Sequence, residues 1–261
     1  MKKLLIAFLF LSVSCFSQEK YKLLHKIDVD ADQFTTDNQC NVYVVKNNEL
    51  IKYDKTGKLL YKYSNKTLGK ISYVDASNML RVLVFYKDFS SVIFLDNTLT
   101  QNGEPVDLRL LDISAAPVVC SSYDNGIWVY DPSRWALIRY DKTFADIIEN
   151  SNLEQSLNDS LLPNLLVEYN NKIYLNNPRS GIIVFDNYGT YYKTLPLKNL
   201  QHFQPITDWV YYAEGKKIKA YNIKTTEEKE FDAPSDFKTF RLEDNILLLQ
   251  DAHSIMLYSA P

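Results

Sequence analysis

One short pattern returns throughout the chain, and its period restricts the fold more than any other feature. A β-branched or aromatic run ends in an aromatic residue or Leu, followed by Asp and a tight turn. It reads "LIKYDKTGK" (50–58), "VIFLDNTLT" (92–100), "ALIRYDKTF" (136–144) and "GIIVFDNYG" (181–189), with weaker copies "KIKAYNIKT" (217–225) and "SIMLYSA" (254–260). Equivalent positions are Tyr53, Leu95, Tyr140, Phe185, Tyr221 and Tyr258, at spacings of 42, 45, 45, 36 and 37 residues. Each copy follows another strand-like run headed by a turn residue: Asp37, Asp75, Asp124, Asn170, Asp208 or Asp244. A shorter apolar segment lies upstream of each turn, as in "ISYV", "APVVC", "LLVEY" and "FKTFRL". Four strands in about 40 residues is the period of a propeller blade.

Radial stacking explains the residue types. Strands such as "RVLVF", "GIIVF" and "NILLL" are apolar on consecutive residues, so both faces of their sheet need cover. A blade sandwiched between two others has that cover and exposes only short edges. The last copy ends after its third strand, whereas "YKLLHKIDV" (21–29) is a strand without a blade of its own. The expected fold is all-β, a six-bladed propeller of four-stranded antiparallel blades, closed by the N-terminal strand completing the last blade. An outer-membrane barrel would need strands of about 9 to 11 residues alternating apolar and polar, which these are not.

With "D-x-x-G-N-x-Y-V" opening the second strand and "Y-D-x-x-G" after the third, the repeats resemble six-bladed β-propellers of the NHL-like and TolB-like type. The resemblance covers nearly all of the chain after residue 17, and it implies a fold rather than an activity. Cys40 stands where the first blade would carry Gly, and the chain has only 7 Gly, so Asn and Asp are expected to take left-handed turn positions.

The N-terminus "MKKLLIAFLFLSVSCFSQ" pairs Lys2 and Lys3 with an apolar run, Leu4 to Val13, long enough for a signal-peptide core and too short to span a bilayer. Residues 1–17 are read as that peptide, with Cys15 and Ser17 at the small-residue positions before the cut, and residues 18–261 as a single propeller domain. The alternative is a lipid on Cys15, against which Ser12 stands where lipoproteins place Leu. An exported protein, periplasmic, outer-membrane associated or at the cell surface, is expected. Without Lys2 and Lys3 the 29 basic residues fall to 27 against 32 acidic, a balance of −5. Nucleic acid, which requires a basic patch, is therefore not an expected partner. Cys40 and Cys120 fall in non-adjacent blades one and three and read as small buried residues, not as a disulfide or nucleophiles.

Residues 144–162, "FADIIENSNLEQSLNDSLL", lack period-two alternation and read as a helical insertion between blades three and four. The signatures of serine hydrolases, zincins and phosphate-binding loops are absent, and no cofactor or metal is expected. The turn acids could in principle ring a cation, but Asp and Asn also cap tight turns through their own backbone. His25, His202 and His253 sit on an outer strand, a linker and an outer turn. Lactonases and lyases with six blades gather ligands near the channel, and here only Glu168 and Arg241 on innermost strands are candidates for such a small-ligand or enzymatic site.

Strand alternation sends the links between blades and the turns between second and third strands to one face of the disc. That face collects Phe89, Arg134, Trp135, Asn177 and Arg179 beside the insertion, and Trp and Arg often dominate interfaces. The alternative reading has Trp135 begin the third strand and pack inward. The first functional expectation is an interaction module for a protein partner in the bacterial cell envelope, monomeric by itself and without a transmembrane span. Asp159, Ser160 and Leu161 also resemble the "D-[ST]-[ALVIMT]" acceptor of bacterial O-glycosylation, which implies Ser160 as a modification site.

Overall fold

The computed structural model describes residues 21–151, 153, 157 and 160–259. Its strands are β1 (Lys22–Asp28) and then six groups: β2 (Gln33–Thr36), β3 (Val42–Lys46), β4 (Glu49–Tyr53) and β5 (Leu59–Ser64); β6 (Tyr73–Asp75), β7 (Val82–Tyr86), β8 (Ser91–Leu95) and β9 (Val106–Asp107); β10 (Val119–Ser121), β11 (Ile127–Asp131), β12 (Ala136–Tyr140) and β13 (Asp146–Asn150); β14 (Leu165–Tyr169), β15 (Lys172–Asn177), β16 (Gly181–Asp186) and β17 (Tyr191–Leu195); β18 (Phe203–Ile206), β19 (Trp209–Glu214), β20 (Lys217–Asn222) and β21 (Glu228–Asp232); β22 (Thr239–Glu243), β23 (Ile246–Gln250) and β24 (Ser254–Ser259). They form six four-stranded antiparallel sheets, and the last has the order β1-β24-β23-β22. The chain is a six-bladed β-propeller. Lys22 lies opposite Ser259 and Ile27 opposite Ile255, so the N-terminal strand closes the ring as the sequence implies.

Strand β7 shows why consecutive apolar residues were needed. Its Leu83 and Phe85 join the core between blades two and three, with Val129 and Ile138, whereas Val82, Val84 and Tyr86 join the core between blades one and two, with Tyr43 and Leu50. Alternate side chains thus enter different interfaces. Side chains also stitch each blade to the next. Gln33 Nε2 donates to Ile71 O (3.4 Å), Ser121 N to Asp75 Oδ2 (2.8 Å), Trp128 Nε1 to Glu168 Oε2 (2.7 Å), Thr207 N to the Tyr169 hydroxyl (3.0 Å), Leu242 N to Gln204 Oε1 (2.8 Å) and Thr36 Oγ1 to Glu243 Oε1 (2.5 Å).

The recurrent Asp after the third strand has a local role. Asp54 Oδ1 accepts from Thr56 N, Thr56 Oγ1 and Lys58 N; Asp96 and Asp141 repeat the set with Thr98 and Thr143. The turn needs one left-handed residue, which is Gly57 at φ 85° in the first copy but Leu99 at 59° and Phe144 at 63° in the others. These carboxyls are held below the ordinary carboxylate range, first by the Thr hydroxyls. A depressed folded value means that the stability they supply is present above the unfolded pKa of about 3.9 and is lost as pH falls through the folded values. The melting temperature is therefore expected to hold from neutral pH to about pH 5 and to fall below about pH 4. A variant carrying Asp54→Asn, Asp96→Asn and Asp141→Asn should show a shallower acid limb, and an unchanged limb in a pH series of thermal melts would contradict this role.

The expected insertion at 144–162 is corrected at its start. Phe144 and Ala145 belong to a turn, and Asp146–Asn150 is β13, the fourth strand of blade three. A register shift between Arg139 and Tyr140 lets β13 pair without clean alternation, and a blade's outermost strand needs few apolar residues. Beyond it, Leu153 and Leu157 are helical and reach the core between blades three and four together with Leu161. Cys40 and Cys120 are buried and unpaired. Residues 1–17, including Cys15, lie outside the described residues.

Candidate functional site

The face formed by blade links and second-to-third-strand turns carries an uneven set of exposed apolar side chains. Phe89, in the turn of blade two, is 45% exposed; Leu110, in the link from blade two to three, 83%; Trp135, in the turn of blade three, 46%; and Leu162, in the link from three to four, 67%. Among the described residues, no other exposed large hydrophobic lies in a link or a turn of this face. Leu23, Leu24, Leu59, Tyr61, Tyr191, Tyr192 and Phe231 stand on outermost strands, and Leu80, Tyr123 and Tyr188 in turns of the opposite face. The apolar groups thus occupy one half of the face.

Local structure fixes these groups. Trp135 has φ 48°, so it sits in the turn before β12 and does not pack inward as a strand residue; its carbonyl accepts from Leu153 N (2.9 Å). Phe89 ends a 3-10 turn over Gly69, where an added Cβ would stand 2.7 Å from its ring. Arg134 is half engaged, with Nε donating to Asp131 Oδ2 (2.7 Å) and Nη1 to Glu149 Oε2 (3.4 Å). Arg179 is exposed, with no carboxylate paired to it among the described residues. Asn177 departs from expectation, being buried: its Oδ1 accepts from Leu162 N (3.1 Å) and its Nδ2 donates to Ser180 Oγ (2.8 Å), so it holds the link rather than presenting itself. Ser160 is exposed, whereas Asp159 lies outside the described residues. Leu110 and Leu162 were missed because an apolar residue in a linker looks like core until its exposure is known.

The second region is the channel. A cavity of about 350 Å³ opens toward the same face, since Asp32, Gln201 and Lys238 precede innermost strands and Gly215 lies in a second-to-third-strand turn. Arg241 lines it, but Glu168 does not. The Glu168 carboxylate accepts from Trp128 Nε1 and from Tyr123 N (3.1 Å), and burial raises its pKa despite those bonds. The two residues therefore do not form one site. His202 also lines the cavity, apart from His25 on β1 and from His253, which bonds Asp30 (2.9 Å). The His202 side chain is exposed to the open channel yet enclosed by its walls; that partial desolvation, then the Arg241 charge, lowers its pKa and favours the neutral ring at neutral pH. Two of the turn acids are engaged locally: Asp37 accepts from Gln39 N, Asn41 and the Tyr43 hydroxyl, and Asp124 from Gly126 N and Arg139; Asp75 accepts from Ser121 N of the next blade, and Asp208 pairs with Lys224. Among the described residues no three His, Cys, Asp or Glu side chains gather in a way that could hold a metal ion, and no helix is long and apolar enough to cross a membrane.

Fold and surface together define a β-propeller with an apolar half-face and a channel cup. It is similar in structure to a virginiamycin B lyase from Staphylococcus aureus, at 12% identity and TM-score 0.64 over 93% of this chain and 100% of that one. The Pan2 WD40 domain of Neurospora crassa matches at 8% identity and TM-score 0.65, covering 92% and 95%, and BBS1N, solved in complex with ARL6DN, at 12% and 0.56, covering 85% and 75%. At such identities the likeness is one of fold alone. No family model matches the sequence, and no curated protein matches it.

Proposed function

We propose that the protein is an interaction module that docks a protein partner in the bacterial cell envelope through the link-and-turn face of blades two to four. The segregation of Phe89, Leu110, Trp135 and Leu162 to one half of that face carries the reading. Exposed apolar groups of this size gathered in one region mark interaction surfaces, whereas scattered ones do not. Arg179 supplies an uncommitted guanidinium at its border, suited to a partner carboxylate. The partner is thus a protein offering apolar side chains beside an acidic one. Export through residues 1–17 belongs to the same proposal, as does modification at Ser160.

Affinity capture from envelope fractions tests it, comparing wild type with the Leu110→Ala, Trp135→Ala, Leu162→Ala and Arg179→Ala combination. Hot-spot truncations typically cost about 2 kcal/mol or more each, so the partner should be lost at least a hundredfold while melting stays within about 3 °C. An unchanged set of co-purifying proteins would remove this face from consideration. Arg134→Ala alone should weaken capture less, since Arg134 is already paired to Asp131.

A further inference from the structure

The cup at the channel mouth has a wall and unused donors. Tyr73, on β6, packs against the core between blades two and three and also against the core between blades four and five. It therefore reaches across the axis and lines the cavity from the blade-two side, with Arg241 two positions further along its own innermost strand. Its hydroxyl meets no hydrogen-bonding partner among the described residues, and neither does either ring nitrogen of His202. Arg241 donates through Nε to Thr36 Oγ1 (3.2 Å) and through Nη2 to Glu243 Oε1 (3.3 Å), so Nη1 remains for a ligand. Burial holds the Tyr73 hydroxyl well above its usual pKa, which keeps it a donor. Lys238 stands exposed in the lining without an ion pair.

Negative groups nearby are accounted for. Glu243 is tied to Arg241, Thr36 and Gln204. Asp75, beneath Tyr73, accepts from Ser77 N and Ser121 N. Asp32, in the lining, has Oδ2 on Asn47 N and is the one carboxylate facing the opening. Phe34, Phe203 and Phe240 supply apolar wall. Donors in the lining, aromatic rings around them and a single rim carboxylate suit one negative charge on an apolar body, not a multiply charged phosphate. The size is at the lower end of small-molecule pockets.

We infer that this cup binds a small monocarboxylate with an apolar body, its carboxylate meeting the Tyr73 hydroxyl, Arg241 and His202, and its body lying against the phenylalanine rings. The inference is independent of the protein-docking face.

Proton NMR of the His202 ring tests it, since the chain has only 3 His and His202→Gln assigns the signal. Benzoate, phenylacetate and octanoate are the probes. At least one should shift the His202 signal saturably, and at saturation the His202 pKa should rise, because the bound anion opposes the Arg241 charge. Tyr73→Phe, which keeps the packing, should weaken binding about tenfold, and Arg241→Gln about a hundredfold. Neutral phenylacetamide should produce no saturable shift. The inference is overturned if none of the three carboxylates saturates, if phenylacetamide or inorganic phosphate binds as tightly as the carboxylate, or if Tyr73→Phe leaves affinity unchanged. The Tyr73→Phe result decides even if Arg241→Gln, which also joins blades one and six, fails to fold.

Discussion

Ile27→Asp is expected to lower the melting temperature by about 10 °C or more, and deletion of residues 22–28 to abolish folding to a soluble ring. Ile27 is buried in the core shared by blades six and one, with Val42, Val44, Leu248 and Leu257. Its strand β1 supplies the outer edge of the last blade through six residue pairs with β24. An aspartate at residue 27 would place an unpaired charge among apolar groups, a cost of about 3 to 5 kcal/mol, and each kilocalorie is about 2 to 4 °C in a chain of this size. Deletion does more, because it uncovers Ile255 and Leu257 and leaves the β24 edge open for pairing with other chains. Leu24→Asp, on the same strand but exposed, should change stability by only about 0.5 kcal/mol. Thermal melts and size-exclusion profiles of the three variants give the answer. If Ile27→Asp melts within 2 to 3 °C of wild type, roughly 1 kcal/mol, β1 does not close the ring in solution.

Gly181→Ala should be the most damaging substitution of a single methyl in the molecule. Gly181 opens β16 at φ 120°, and a Cβ there would lie 2.0 Å from Leu195 O and 3.2 Å from Leu197 N. Both obstacles are backbone, so the blade itself would have to open. Two other glycines separate the contributions. Gly126 has no left-handed strain, yet its Cβ would meet Tyr140 O at 2.0 Å; Gly103 has φ 84° with nothing within 4 Å. Gly103→Ala should cost about 1 kcal/mol through backbone strain alone, Gly126→Ala about 4 kcal/mol through the backbone clash alone, and Gly181→Ala, which meets both, about 5 kcal/mol or more. Denaturant titrations rank the three. A Gly181→Ala protein as stable as Gly103→Ala would show that the approach of β17 to the start of β16 is looser than 2.0 Å implies.

Blade number and ring closure were legible because they depend on period and on apolar runs, which are properties of the chain read in order. Turn chemistry was legible for the same reason, since Asp54, Asp96 and Asp141 act on residues two to four positions on. Strand β13 was not, because a blade's outermost strand can be Asp-Ile-Ile-Glu-Asn and still pair. Asn177 and Glu168 were assigned to a surface and a channel, but both are used to join segments, through bonds to residues 15 and 40 positions away. His202 and Tyr73 reach the channel through the ring's curvature, which no local pattern records. Leu110 and Leu162 needed exposure, not hydrophobicity, to be noticed.

The strand that clasps the ring also dictates how the disc would hang from a tether. Its Lys22 end lies beside Ser259, on the side opposite the blade links, at the rim of blade six. A tether attached directly at Tyr21 would therefore hold the disc from its underside, at the edge across from blade three. The apolar half-face and the cup then look outward, away from the point of suspension.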